Sequence, residues 1–224
     1  MFKKAKKNDN TYAVIGLGRF GYALTLELAA AGAELVVLDQ DEEKIREIRE
    51  YTENAFVVKN LEKKTLEETG VQNCDVAILC IGEHIDTSIL TTLNLVELGI
   101  KNVIAKAKSY EHGKILEKLG AEVVYPERDM AIRLAHRLEA SKVLDYIQLS
   151  EKLNISKLIV PNALIGKNVI EAILRKNFGV NIIAIENAGV VLDTVTPGYT
   201  FKEGDILFVS GSRDSLNKLS EITE

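Results

Sequence analysis

Three glycines dominate the N-terminal segment: Gly16, Gly18 and Gly21, in the run Val14-Ile15-Gly16-Leu17-Gly18-Arg19-Phe20-Gly21. An apolar strand, Tyr12 to Ile15, precedes them, and a helix-like segment from Tyr22 to Ala31 follows. A second apolar run, Leu35 to Leu38, then ends on Asp39. In that context the GxGxxG spacing reads as a nucleotide- or dinucleotide-binding βαβ unit rather than a chance turn. Gly16 permits the tight turn, Gly18 lets the backbone approach a phosphate, and Gly21 lets helix and strand pack closely. The N–H groups at the helix start would receive the anion. Asp39, followed by Gln40, is placed to accept hydrogen bonds from ribose hydroxyls, and its charge would repel a 2′-phosphate. Arg19 sits inside the loop beside Phe20, where a cation reaches outer phosphates that the helix dipole leaves unneutralised.

These residues need a scaffold, and the following pattern supplies it. A charged helix over Glu42 to Tyr51, a short strand Ala55 to Val58 and a helical turn Lys64 to Glu68 lead to Gly70. The run Asp75 to Ile81 is almost continuously apolar, as expected of a parallel strand covered on both faces. A helix over His84 to Leu98 ends at Gly99. Strand Asn102 to Lys106, helix Glu111 to Leu119 and strand Glu122 to Val124 repeat the scheme. Six strands with right-handed crossovers predict a Rossmann-like, doubly wound α/β sheet, with its ligand outside the strand carboxyl ends. A helix over Arg128 to Ala140 closes this lobe, 1–140.

From 141 to 224 the pattern changes. Strands are expected over Leu144 to Leu149, Leu153 to Pro161, Val180 to Ile185, Val190 to Leu192 and Asp205 to Val209. Helices are expected over Asn168 to Arg175 and Asp214 to Ile222, with turns at Pro197-Gly198 and Glu203-Gly204-Asp205. This is a small α+β lobe, and a unit that small is expected to pair with another subunit.

Composition narrows the classes. With 46% hydrophobic and 27% charged residues, the chain is an ordinary globular one rather than a disordered one. A net charge of −5 gives no broad nucleic-acid footprint. The cluster Lys3, Lys4, Lys6 and Lys7 reads as a solvated tail. No apolar run is long enough to span a bilayer and no secretory pattern opens the chain, so a cytoplasmic location is expected. Cys74 and Cys80 lack metal-ligand spacing and read as small apolar fillers. Neither a Walker lysine loop nor a nucleophile elbow is present. The second lobe has no histidine; His112 and His136 read as surface or interface side chains, and only His84 lies close enough to the strand ends to touch a nucleotide. Binding without turnover therefore fits better than an enzyme. The alternatives are a small NAD-dependent oxidoreductase and an NADH-responsive redox sensor.

The segments GLGRFG, VVLDQD, DVAILCIG and IAKAKSYEHGKILEKLGAEVVYPERDMAIRLAHRL resemble the RCK (KTN) domains of potassium-transport regulatory subunits of the KtrA and TrkA type. The resemblance runs from about Tyr12 to Ile222, with an RCK-C type second lobe. It implies a cytosolic gating subunit, peripheral to the inner face of the membrane through a potassium-translocating partner of the KtrB or TrkH type. It also implies dimers that assemble into an octameric ring. The ligand would be ATP or ADP, or alternatively AMP or NAD(H). Gly16, Gly18 and Gly21 would hold the diphosphate, Asp39 the ribose and Arg19 the outer phosphates. Asn60 with Leu61 and Ile81 with Gly82 would frame the adenine, and Lys106 would reach the phosphates. Leu61 either packs on adenine or narrows the pocket. Glu127 matches the position that helps place a divalent cation (Mg or Ca) near the γ-phosphate, although a carboxylate there also suits a helix N-terminus. In the second lobe Val169, Ile170, Arg175, Asn181 and Pro197 resemble a cyclic-di-AMP site.

Overall fold

The computed structural model describes residues 10–139, 143–150 and 152–222; the lysine cluster of the first seven residues lies outside them. Contacts divide the chain into two compact units, 1–126 and 127–224. The lobe boundary expected after residue 140 falls on residues outside the described ones.

In the first unit, strands β1 (Thr11–Ile15), β2 (Glu34–Asp39), β3 (Ala55–Val57), β4 (Val76–Leu79), β5 (Asn102–Lys106) and β6 (Glu122–Val124) alternate with helices. These are α1 (Arg19–Ala30), α2 (Glu42–Ile48), α3 (Lys63–Glu68), α4 (Ile85–Glu97) and α5 (Tyr110–Lys118). All strand pairs are parallel, in the order β3-β2-β1-β4-β5-β6. The order reverses between β1 and β4, which opens the crevice where doubly wound sheets take ligands. Both faces are covered. Ala13, Ile15, Leu38, Ala77, Leu79 and Ala105 pack to one side, and Val14, Val76, Ile78 and Cys80 to the other. The continuous apolar run of β4 is therefore what a strand with no solvent face requires.

Helix α1 starts at Arg19, three residues earlier than the glycine spacing predicts. Arg19, Phe20 and Gly21 are thus its first turn, not a loop before it. The expected surface or interface position of His112 is also overturned. It is 2% exposed, and its Nδ1 accepts the Lys108 N–H at 3.3 Å. The side chain of His136 is outside the described ones.

The second unit begins with α6 (Pro126–Glu139), whose first residue closes the first unit. Its sheet is antiparallel, ordered β10-β9-β11-β8-β7. The strands are β7 (Val143–Gln148), β8 (Asn154–Ile159), β9 (Asn181–Asn187), β10 (Val190–Leu192) and β11 (Ile206–Gly211). The helix expected over 168–175 is two short pieces, α7 (Val169–Ala172) and α8 (Leu174–Phe178), and α9 (Arg213–Ser220) follows β11. The break is at Ile173, whose backbone is left-handed with φ 44° and ψ 42°. Leu158, Val160, Ile185, Phe201, Leu207, Val209 and Leu219 form the core of this unit. Asp205, expected in a strand, stands just before one. It is fully buried and accepts hydrogen bonds from Tyr199 Oη at 2.8 Å, the Lys202 N–H at 2.9 Å and the Asn187 amide. Among the described residues, no helix is long and apolar enough to cross a membrane.

Candidate functional site

The two outer glycines of the loop are required by geometry. Gly16 adopts φ +98°, and a methyl group there would stand 3.0 Å from Ile81 Cγ1. A methyl group on Gly21 would lie 2.0 Å from the Gly16 carbonyl oxygen and 3.0 Å from Cys80 Cβ. Gly18 differs: its φ is −66°, and a methyl group would meet nothing within 4 Å. Its missing side chain leaves the outer flank of the loop bare. Gly18 also occupies the N-cap of α1 with no side chain to satisfy the first-turn N–H groups, and no carboxylate lies in that turn. The positive end of α1 is therefore uncompensated at the open flank, the arrangement that attracts phosphate. Arg19 is exposed in this turn, and among the described residues no carboxylate pairs with it.

Asp39 ends β2 and ties the loop to the sheet. Its carboxylate accepts the Leu17 N–H through one oxygen and the Asp41 N–H, at 2.8 Å, through the other. Each oxygen keeps a lone pair for a further donor such as a ribose hydroxyl. Asp41 in turn caps α2, and its carboxyl is held below the usual range chiefly by the backbone N–H of Lys44.

Beside Asp39 opens a cavity of about 500 Å³. Of the residues predicted from sequence, Gly16, Asp39, Gln40, Asn60, Leu61, Ile81 and His84 line it. Apolar walls come from Ile15, Leu38, Val58, Leu61 and Ile81, and polar groups from Asp39, Gln40, Asn60 and His84. Apolar walls with polar groups to fix orientation are what small-molecule sites provide. Asn60 Oδ1 accepts the Thr65 hydroxyl at 2.7 Å and the Glu62 N–H at 3.2 Å, which fixes the β3–α3 connection. Leu61 packs half-buried on the core, and its carbonyl accepts Asn94 Nδ2 at 3.1 Å, so it is wall rather than loose lid. His84 holds the N-cap position of α4 without capping it. Lys44, Lys59 and Thr87 also line the cavity and were not expected. Lys44 lies in the first turn of α2, Lys59 just past β3 and Thr87 in α4, and nothing in their residue types set them apart in the sequence.

The remaining predicted residues lie apart from that lining. Gly18, Arg19, Phe20 and Gly21 form the loop and first turn of α1. Lys106 lies against Gly82, where a methyl group would stand 3.3 Å from Lys106 Cε. Burial pushes the nearby Cys80 thiol up to about 12, with the Lys106 charge acting in the opposite direction. Glu127 is exposed on the first turn of α6, in the second unit.

The second unit has its own cavity of about 450 Å³. Val169, Arg175 and Asn181 line it, as do Ile173, Leu174, Lys176, Val180, Ile182 and Val195. Ile170 and Pro197 are outside that lining but are joined to each other, the Ile170 N–H donating to the Pro197 carbonyl at 3.3 Å.

Comparison with known proteins agrees with both units. Residues 12–126 match the TrkA-N domain and residues 157–223 the TrkA-C domain. Ktr system potassium uptake protein C of Bacillus subtilis (strain 168) is 36% identical over 211 residues, covering 94% of this chain and 96% of that one. Ktr system potassium uptake protein A of Vibrio alginolyticus is 32% identical over 219 residues, covering 97% and 100%. The solved RCK domain of GsuK shares the fold with a TM-score of 0.67 at 19% identity. The match covers 99% of this chain, which spans half the length of that one. With a parallel six-stranded sheet around a glycine loop, a small antiparallel lobe and full-length relatives, this chain belongs to the Ktr family of potassium uptake proteins built from TrkA-N and TrkA-C domains.

Proposed function

We propose that this chain is a cytosolic regulatory subunit of a potassium uptake system, with an adenine nucleotide as the ligand of its first lobe. One observation carries the ligand reading. Gly16 and the half-used carboxylate of Asp39 line an apolar-walled cavity, and two residues after Gly16 come the bare flank of Gly18 and the uncapped start of α1. Phosphate, ribose and base each find a complementary surface. Arg19 is assigned to the outer phosphates, with Lys106 on the Gly82 side. Regulation in place of turnover rests on the full-length relatives, which are named as potassium uptake proteins.

The resemblance assigns Glu127 to a divalent cation that would meet the terminal phosphate of ATP at a dimer interface. Among the described residues no group of three or more His, Cys, Asp or Glu side chains could hold a metal ion. Glu127 therefore fits only as one ligand of several, the phosphates supplying others, and such a site exists only with ATP bound. Self-association into dimers and a ring would let adjacent lobes respond to the nucleotide together. A ligand shifts such an assembly only by the difference in its affinity for the two states.

The direct test places the purified chain with a membrane potassium-translocating subunit in vesicles and measures potassium flux. Flux that changes with the chain, and differs between ATP and ADP, is expected. Flux indifferent to the chain, or equal with both nucleotides, overturns the regulatory reading.

A further inference from the structure

His112 is a polar side chain where packing alone would favour an apolar one. It is almost fully buried and shares the inward face of α5 with Leu116, one turn on, which belongs to the first-lobe core. Its Nδ1 accepts the Lys108 N–H at 3.3 Å. With Nδ1 an acceptor, the neutral ring carries its proton on Nε2. That N–H is buried without a partner. Leaving a buried donor unpaired is unfavourable, so core packing does not explain the imidazole, and what its other nitrogen holds does.

That nitrogen holds the connection between β5, which ends at Lys106, and α5, which starts at Tyr110. Residues 107–109 are each tied. The Ala107 N–H donates to the Val124 carbonyl of β6 at 2.9 Å. The Lys108 N–H donates to the His112 ring, and the Ser109 hydroxyl accepts the His112 N–H at 3.2 Å. Two of these three ties end on His112. The turn that bears it is itself pressed from β6, because Tyr125 Oη and Cζ occupy the place a methyl group on Gly113 would need. At the head of the connection stands Lys106. Its side chain runs along Gly82, just past β4, with Nζ 3.7 Å from where a methyl group on Gly82 would stand.

We propose that His112 is a positioning residue for the nucleotide site: through the Lys108 N–H it holds the β5–α5 connection, and with it the Lys106 ammonium, where a phosphate is met. This rests on the nucleotide reading above and on its assignment of Lys106. His112 itself touches no ligand. Its hydrogen bond keeps the backbone behind a flexible lysine still, which cuts the ordering cost that binding otherwise carries.

The experiment is calorimetric titration of the full chain with ADP, alongside thermal unfolding, for wild type, His112→Asn, His112→Leu, Lys106→Gln and the double variant of the last two. Asn sets an amide oxygen near the place of Nδ1 and keeps the acceptor, whereas Leu suits the core better and has none. His112→Asn should bind ADP within about twofold of wild type. His112→Leu should bind severalfold more weakly, although its Tm is the higher of the two because it buries no unpaired polar group. Lys106→Gln should lose about tenfold, the scale of one charge-assisted hydrogen bond. In that background His112→Leu should cost nothing further, since residues acting through one another do not add. Affinities that follow Tm, or losses that add in full in the double variant, overturn the positioning role. Wild-type affinity in Lys106→Gln overturns this inference alone, because nothing is then left for His112 to position. Failure of wild type to bind ADP overturns the nucleotide reading, and this inference with it.

Discussion

Gly18 and Gly21 are the same residue type three positions apart, yet a methyl group would meet empty space at one and a backbone carbonyl at the other. Gly21→Ala must push α1 away from the loop, and overpacking of this kind costs about 1–3 kcal/mol. It should lower Tm and abolish nucleotide binding together. Gly18→Ala should leave Tm nearly unchanged and weaken nucleotide binding alone, because the methyl group intrudes only where a phosphate would sit. Thermal unfolding and calorimetry on the two variants separate these outcomes; equal loss of stability in both contradicts the assignment. Arg19→Ala should weaken ATP more than AMP, since only the outer phosphates lie within its proposed reach. Gly16 and Gly21 were legible in sequence because positive φ at one and close approach at the other restrict those positions to glycine. Lys44 and Lys59 were not, since lysines on helix and loop surfaces are usual and only the folded cavity singles these two out. Ile173 gave no sign at all, as isoleucine in a short apolar run predicts a regular helix.

At the scale of elements, the first lobe was legible because its strands have apolar centres and α1, α3, α4 and α5 each end two residues before a glycine. The start of α1 was misplaced because Gly21 looks like a loop residue, whereas packing against β1 and β4 puts it inside the helix. Helix α5 misled for a related reason. Tyr110 and Ile115 are exposed on it while His112 is buried along with Leu116, so apolar character alone does not mark its inner face. Burial lowers the pKa of His112 from its ordinary value, and its Nε2 is buried without a hydrogen-bond partner. The folded state therefore favours the neutral imidazole. Its contribution to stability is fully present above the unfolded pKa, near 6.5, and is lost as pH falls through the lower folded value. Denaturant unfolding at pH 7.5 and 5.5 should show wild type losing more stability on acidification than His112→Gln. Equal losses would mean that His112 takes no part. In the second unit, Tyr199→Phe deprives buried Asp205 of a hydrogen bond to a charged acceptor, worth about 1.5–3 kcal/mol. The unfolding free energy of that variant measures it directly.

For the whole molecule, the sequence carried both lobes and the family, but not what covers their surfaces. Ile85, Leu90 and Leu93 are exposed on α4, and Met130, Ile132, Leu134 and Leu138 on α6. Apolar side chains at helical spacing read equally well as core or as interface, so their exposure became visible only in the fold. Self-association would bury such faces, and sedimentation should find dimers or larger assemblies; a monomer at all concentrations contradicts the ring. The central claim, an adenine nucleotide in the first lobe as the regulatory ligand, is tested most directly by calorimetric titration of the purified chain with ATP, ADP, AMP and NADH, each with and without magnesium or calcium. The account predicts binding of ATP and ADP, with a cation effect confined to ATP and lost in Glu127→Ala. Exclusive binding of NADH, or no binding of any adenine nucleotide, would contradict it.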